Sequence, residues 1–147
     1  MAEDITGTGL KVNIVAVPTF PLGIDITQFA DDQDAINFGD QDIAETAMGL
    51  NGDLVVWGKP SAINITLSVI PGSEDDKNLG ILFDMNRIAK NKVSARDMIT
   101  MTVSYPDKDP KVYTNGKLIG GTPGDGVSSN GRLQTRQYRF AFENKLN

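Results

Sequence analysis

SAINITLSVIPGSEDDKNLGILFDMNRIAKN, residues 61–91, carries a strand, a stop and a helix in one run. Ile63, Ile65, Leu67 and Val69 alternate with Asn64, Thr66 and Ser68. A period of two, rich in β-branched residues, marks a half-buried strand. Pro71-Gly72 stops it. Ser73 then stands three residues before Asp76, close to a capping box, and Glu74 and Asp75 put negative charge where a helix N-terminus favours it. From Leu79 the spacing changes to helical intervals: Leu79, Leu82, Phe83, Met85, Ile88 and Ala89. Arg87 and Lys90 come late, where cations suit a helix C-terminus. The spacing predicts a helix over residues 74–91, with Leu79, Leu82, Phe83 and Ile88 in the core. Gly80 inside it costs about 1 kcal/mol relative to Ala and points to a neighbour that needs the space.

Upstream, residues 1–9 read as a flexible arm. Residues 10–17 alternate and end apolar on both faces, so that strand is predicted to be largely buried. Pro18 and Pro21 interrupt, and residues 23–29 read as a short second strand. Residues 30–41 are acidic and loop-like. Residues 43–50 and 53–58 flank Asn51-Gly52, a strong two-residue hairpin signal. That loop sets Met48 opposite Val55, Ala47 opposite Val56 and Thr46 opposite Trp57, the one tryptophan. Downstream, residues 98–105 are a strand, with Ile99, Met101, Val103 and Tyr105 on one face and Thr100, Thr102 and Ser104 on the other. Asn115-Gly116 predicts a second hairpin between residues 111–114 and 117–119. Residues 120–131, GGTPGDGVSSNG, read as a long mobile loop. Residues 132–143 close the chain as a strand whose second half presents Tyr138, Phe140 and Phe142.

A chain of 147 residues with seven or eight such strands and one helix predicts a single domain over residues 1–147. Its expected class is mainly β: two packed antiparallel sheets, a sandwich or barrel, with one flanking α-helix. Cysteine and histidine are absent. That removes disulfides, thiolate chemistry, the usual general base near neutral pH and the commonest metal ligand. Fourteen Lys+Arg against 19 Asp+Glu, a net −5, keeps the chain soluble and argues against a surface that grips nucleic acid. No apolar run approaches the ~20 residues that span a bilayer, and the N-terminus lacks a signal-peptide core. The expectation is a protein made and kept in the cytoplasm until used, without a membrane anchor.

No motif supplies catalytic, cofactor-binding or metal-ligating residues, and the expectation is no enzyme and no cofactor. The acidic stretch 31–42 lacks calcium-loop spacing and reads as a solvated loop. GKLIGGTPGDG has neither the order nor the following helix of a phosphate loop. The Asn64-Ile65-Thr66 sequon falls in a predicted strand. Glu45, Asp53 and Glu143 have no spacing that makes them a catalytic pair. Two features remain. Asn64, Thr66 and Ser68, with Thr100, Thr102 and Ser104, form neutral polar rows without a cation. An ordinary wetted sheet face explains them; so does a wall past which a polyanion slides without sticking, since Lys or Arg there would hold phosphates. The arm, the acidic stretch and the glycine-rich loop with Gly121, Pro123, Asp125, Ser128 and Asn130 offer contacts to other copies, as do unpaired strand edges.

Residues 26–57, 63–107 and 115–144 resemble a family of small structural proteins from contractile-tailed bacteriophages. PGSEDDKNLGILF, residues 71–83, and FAFEN, residues 140–144, carry the most specific likeness. Members are tail-tube proteins or tube-like proteins at the baseplate end, some labelled tail fibre. The resemblance implies two packed β-sheets with a flanking helix, as in phage tail tubes and the tube of type VI secretion systems. It implies stacked hexameric rings, strands of all six copies around a channel, and loops and arms joining successive rings. Expected partners are further copies, tail sheath, tape measure and baseplate proteins, with DNA passing through unbound; the expected location is the virion tail, assembled in the host cytoplasm. The polar rows are then the channel-facing candidates and the glycine-rich loop the subunit contact. The alternative is a receptor- or glycan-binding tail-fibre or baseplate module. That reading favours aromatic side chains in loops, where this chain has few.

Overall fold

The computed structural model describes residues 5–146, so part of the expected N-terminal arm lies outside the described residues. The elements follow as β1 (Lys11–Val17), β2 (Phe20–Ile26), β3 (Ile36–Phe38), β4 (Ala44–Met48), β5 (Leu54–Gly58), β6 (Ile63–Val69), α1 (Glu74–Asn86), β7 (Met98–Ser104), β8 (Lys111–Gly121) and β9 (Arg136–Lys145). The fold is mainly β with one helix, and all pairings between these strands are antiparallel. The strands divide unevenly, into a seven-stranded sheet of order β2-β1-β7-β8-β9-β6-β3 and a two-stranded sheet, β4-β5.

The large sheet is curled, with β2 and β3 as its end strands. Beyond β2 the chain crosses to the far side, where Phe29 bridges Val69 and Ala30 N–H donates to Ser68 O at 3.0 Å. Asp75, in the first turn of α1, fixes that crossing: its carboxylate accepts from Thr27 N and Gln28 N, both at 2.8 Å. The inward faces of β1, β6, β7 and β9 fill the curl with Val12, Ile14, Ile65, Leu67, Ile99, Met101, Tyr138 and Phe140, all buried. Leu79 and Leu82 of α1 close one flank.

The helix begins as its sequence predicts. Ser73 caps it, its Oγ accepting from Asp76 N at 3.2 Å. Asp76 reaches back to Gly72 N at 3.0 Å, one residue earlier than a capping box requires. Its end differs from expectation. The helix stops at Asn86, because Asn86 turns its side chain onto Leu82 O and Asp97. Lys92, returning from the following loop, caps the last turn at Asp84 O and Arg87 O. Ile88 therefore lies past the helix, 77% exposed, and is not core; Phe83 is partly buried. Gly80 has no tight neighbour either: an added Cβ would stand 3.7 Å from the nearest atom, Tyr138 Oη.

Other differences share one cause, that tertiary pairing outweighs a local turn signal. Asn115-Gly116 makes no hairpin. β8 runs straight through it, with Asn115 at φ 54° where the register against β7 shifts, so the pair marks a bulge. The first hairpin is real but slipped by one: Thr46 pairs Val56, Glu45 pairs Trp57 and Met48 pairs Leu54. Gly49 O accepts from Gly52 N, and Gly49 N donates to Asp53 O at 2.7 Å. Gly52, at φ 89°, takes the one left-handed position, so the loop has three residues instead of two. β2 starts three residues early and includes Pro21, which an edge strand tolerates. β3 forms inside the acidic stretch expected to be loop. Residues 132–135 belong to a loop, and β9 starts at Arg136.

Candidate assembly interface

The hairpin β4-β5 is the most exposed apolar part of the fold. Every residue of both strands is exposed. One face carries Ala44, Thr46, Met48, Leu54 and Val56; the other carries Ala47, Val55 and Trp57 above the Glu45–Lys59 ion pair at 2.8 Å. At its tip Leu50 is wholly open to solvent at 103%, and Trp57 is 46% exposed. Two isolated strands are marginal in water, and each fully buried Leu, Val or Met gains about 1.5–3 kcal/mol. A hairpin apolar on both faces is shaped to be covered. The sequence carried the signal: Leu54-Val55-Val56-Trp57 is a run of apolar residues where a half-buried strand would alternate.

The outer edges of the large sheet are poor sites for strand addition. β2 carries Pro21, which lacks an N–H, and Gly23 at φ 86°. β3 is three residues long, between Asp34 and Asp40. Both are ways of blunting an edge; the β4-β5 hairpin, paired only within itself, keeps both of its borders open.

The glycine-rich loop is tied down within the chain. Gly121 lies in β8 against the Tyr138 ring, with a built Cβ 2.9 Å from it. Thr122 N donates to Gln137 O at 2.9 Å, and Val127 bridges Leu133. Asp125 stands 4.0 Å from Arg136 Nη1. Ser128 Oγ donates to Arg132 O at 3.0 Å, and Asn130 Oδ1 accepts from Arg132 N at 3.1 Å. Arg132 also pairs with Asp31, Thr135 with Asp32 and Gln137 with Gln33, so the acidic stretch and the loop latch together. Pro123 is exposed. The long mobile loop expected over residues 120–131 is thus shorter and ordered, because its polar side chains bond its own backbone.

The polar rows lie on the outer face of the curl. Asn64 is exposed, and Thr66, Thr100, Thr102 and Ser104 are half-buried. Ser68 leaves the row: it is 2% exposed, with Ala35 O bonded to its N–H. The rows are not contiguous. β8 and β9 separate them, and Arg139 pairs directly with Thr66 while Lys117 pairs with Ala141. The strands β6 and β7 lack cations on this face; the face as a whole has them.

Three aspartates instead serve the interior. Asp76, nearly fully buried, accepts from Tyr138 Oη at 3.0 Å and faces Arg136 Nη1 at 3.3 Å. Burial, with that carboxylate beside it, pushes the Tyr138 phenol well above its ordinary range, so it stays a donor. Asp97, fully buried, accepts from Thr19 N, Thr19 Oγ1 and Asn86 Nδ2 at 2.5–3.0 Å. Both, like Asp75, pin the helix to strands. Among the described residues, no group of three or more Asp or Glu side chains is placed to hold a metal ion.

Comparison with known proteins decides the kinship. The family model described as "Tail fiber protein gp32" matches residues 3–146. The chain belongs to that family. No curated protein matches this gp32-family chain. Two cryo-EM structures share its fold. One is a chain of the sheath/tube terminator of the PVC extracellular contractile injection system in the extended state, at 12% identity and TM-score 0.56, covering 99% of this chain and 97% of that one. The other is a chain of the anti-feeding prophage baseplate, at 8% identity and TM-score 0.56, covering 99% and 96%.

Proposed function

We propose that this gp32-family chain is a non-enzymatic structural subunit of a contractile tail, assembling as rings, hexameric by the family resemblance, in the tube or where the tube meets the baseplate. The β4-β5 hairpin carries this reading: a limb apolar on both faces and exposed along its whole length calls for neighbours to cover it. Family membership and the fold shared with chains of injection-system particles support it. The role is passive: rings enclose a conduit for DNA and bear the load when sheath shortens, with sheath, tape measure and baseplate proteins as the other contacts.

Light scattering, negative-stain imaging and Trp57 emission of the purified protein test the proposal. Rings with a blue-shifted Trp57 are expected as concentration rises. A monomer at every concentration, with Trp57 in water throughout, contradicts it. The family's description favours a second reading, glycan recognition by a tail fibre. The polar cleft lined by Gln33, Asp34, Asn37, Thr66, Ser68 and Gln137 is where a sugar would sit, though no aromatic ring lines it. Binding on a glycan array that Gln137→Ala abolishes would favour that reading.

A further inference from the structure

Charge along this chain is segregated. Between Lys11 and Lys59 there is no Lys or Arg, while Asp31, Asp32, Asp34, Asp40, Asp42 and Glu45 crowd one stretch. Residues 87–96 are the reverse: Arg87, Lys90, Lys92 and Arg96, with no acid. Folding sharpens the contrast. Lys117 Nζ donates to Arg96 O at 3.1 Å, so β8 adds its cation to the basic side. Arg87 and Arg139 line one open groove of about 360 Å³ whose apolar lining includes Phe83, Ile88, Leu118 and Ile119.

Arg139 is held ready there. Its guanidinium lies over Gly120, where a built Cβ would stand 2.4 Å from Nη2, so the glycine lets it rest against the strand. Among the described residues the Arg139 guanidinium has no ion pair or hydrogen bond, and Arg87 pairs only with exposed Asp84, at 3.7 Å. The acidic surplus is equally unspent. Asp31 is used by Arg132 and Glu45 by Lys59, but Asp34, Asp40 and Asp42 have no ion pair among the described residues. Asp40 and Asp42 lead straight into exposed Ile43 at the root of the β4-β5 hairpin. One surface offers two arginines beside exposed Ile88 and Ile119; the other offers two carboxylates beside exposed Ile43.

Resting on the ring-subunit reading, we infer that the Arg87–Arg139 groove receives the Asp40–Ile43 segment of a second copy. The contact is heterologous, because the two patches differ and lie at different places on one chain. Such contacts run head to tail and close into rings when the rotation allows. Complementary charge sets register and speeds encounter, and it weakens as salt shortens the Debye length from about 10 Å at 0.1 M to about 3 Å at 1 M. A chain of net −5 with separated charge associates in one orientation and repels in others.

Two charge-reversed proteins test this, R87E/R139E and D40K/D42K, with circular dichroism and thermal melts to show that each folds. Analytical ultracentrifugation is run on each alone, on their mixture, on the fourfold variant and on wild type between about 0.05 M and 0.5 M NaCl. Expected are wild-type assemblies whose half-assembly concentration rises roughly tenfold across that salt range, and loss of assembly in each variant alone. The mixture should assemble with the two variants alternating, because each intact groove meets an intact segment and each reversed groove a reversed segment. The fourfold variant should assemble again. Wild-type rings that ignore salt and survive in R87E/R139E overturn the groove contact and leave the ring reading standing. Loss in R87E/R139E with D40K/D42K unaffected overturns the second copy as occupant and points to an acidic segment of a different tail protein. A wild type that never assembles overturns both.

Discussion

Glycines that look alike in the sequence have opposite roles in the fold. Gly116 lies in β8 beneath the Phe142 ring, and a Cβ there would stand 2.2 Å from the ring edge. Phe142 is buried between Tyr113 and Phe140 and has nowhere to go. Gly116→Ala is therefore expected to destabilise by about 1–3 kcal/mol through overpacking, seen as a lower urea midpoint with an unchanged slope. Gly80 is the reverse case. Its backbone is helical and the space beside it is free, so Gly80→Ala should stabilise by about 0.4–1 kcal/mol and raise the melting temperature. No sequence pattern separates the two, since each sits in an otherwise regular element and only the neighbour across the sheet decides. The same holds for the aspartates. Asp75 and Asp76 read correctly as a charge-favoured helix start, but their long-range partners Thr27, Gln28 and Tyr138 are invisible locally. Asp97 gave no signal at all. Asp97→Ala orphans Thr19 N and removes one of the two acceptors of Asn86 Nδ2, and should cost about 1–3 kcal/mol, read in the same unfolding experiment.

At the scale of elements, alternation was the dependable guide. β1, β6, β7 and the end of β9 lie where a period of two placed them, with the expected residues inward. Turn signals failed where a longer strand competed. Asn115-Gly116 bends β8 without ending it, because pairing on both sides, to β7 and to β9, holds the strand extended. The slip in the first hairpin exchanges the faces of one strand relative to the other, so the ring of Trp57 faces Glu45 and not Thr46. Both faces are apolar, however, and the need for a partner survives the slip. Val56→Lys places one charge on the neutral face of that hairpin. Its unfolding free energy should change by no more than about 0.5 kcal/mol, because the site is exposed in the free chain. Rings should nevertheless fail to form, and Trp57 emission should stay red-shifted.

For the whole molecule, the class was legible and the division of labour was not. Composition and period gave a β domain with one helix, and the resemblance in residues 71–83 and 140–144 gave the family that the match over residues 3–146 bears out. Polar, glycine-rich sequence suggested the loop at residues 120–131 as a contact between copies; its polar groups also bond each other and the acidic stretch. An apolar hairpin has no such internal outlet. Hydrogen exchange should show this partition directly. In dilute protein, amides of β4 and β5 should exchange far faster than those of β1, β7 and β9, and in assembled material they should become protected. Equal protection of the hairpin in both forms would contradict it.

The blunted margins of the seven-stranded sheet bear on how a crowded pool of this protein behaves. Pro21, the left-handed Gly23 and a three-residue β3 deny incoming backbone a template on either border. Copies cannot extend this sheet border to border, whatever their number; the two outer borders of the β4-β5 hairpin are the ones left open. The same proline and glycine that weaken one strand thus steer this sheet away from edge-to-edge fibres.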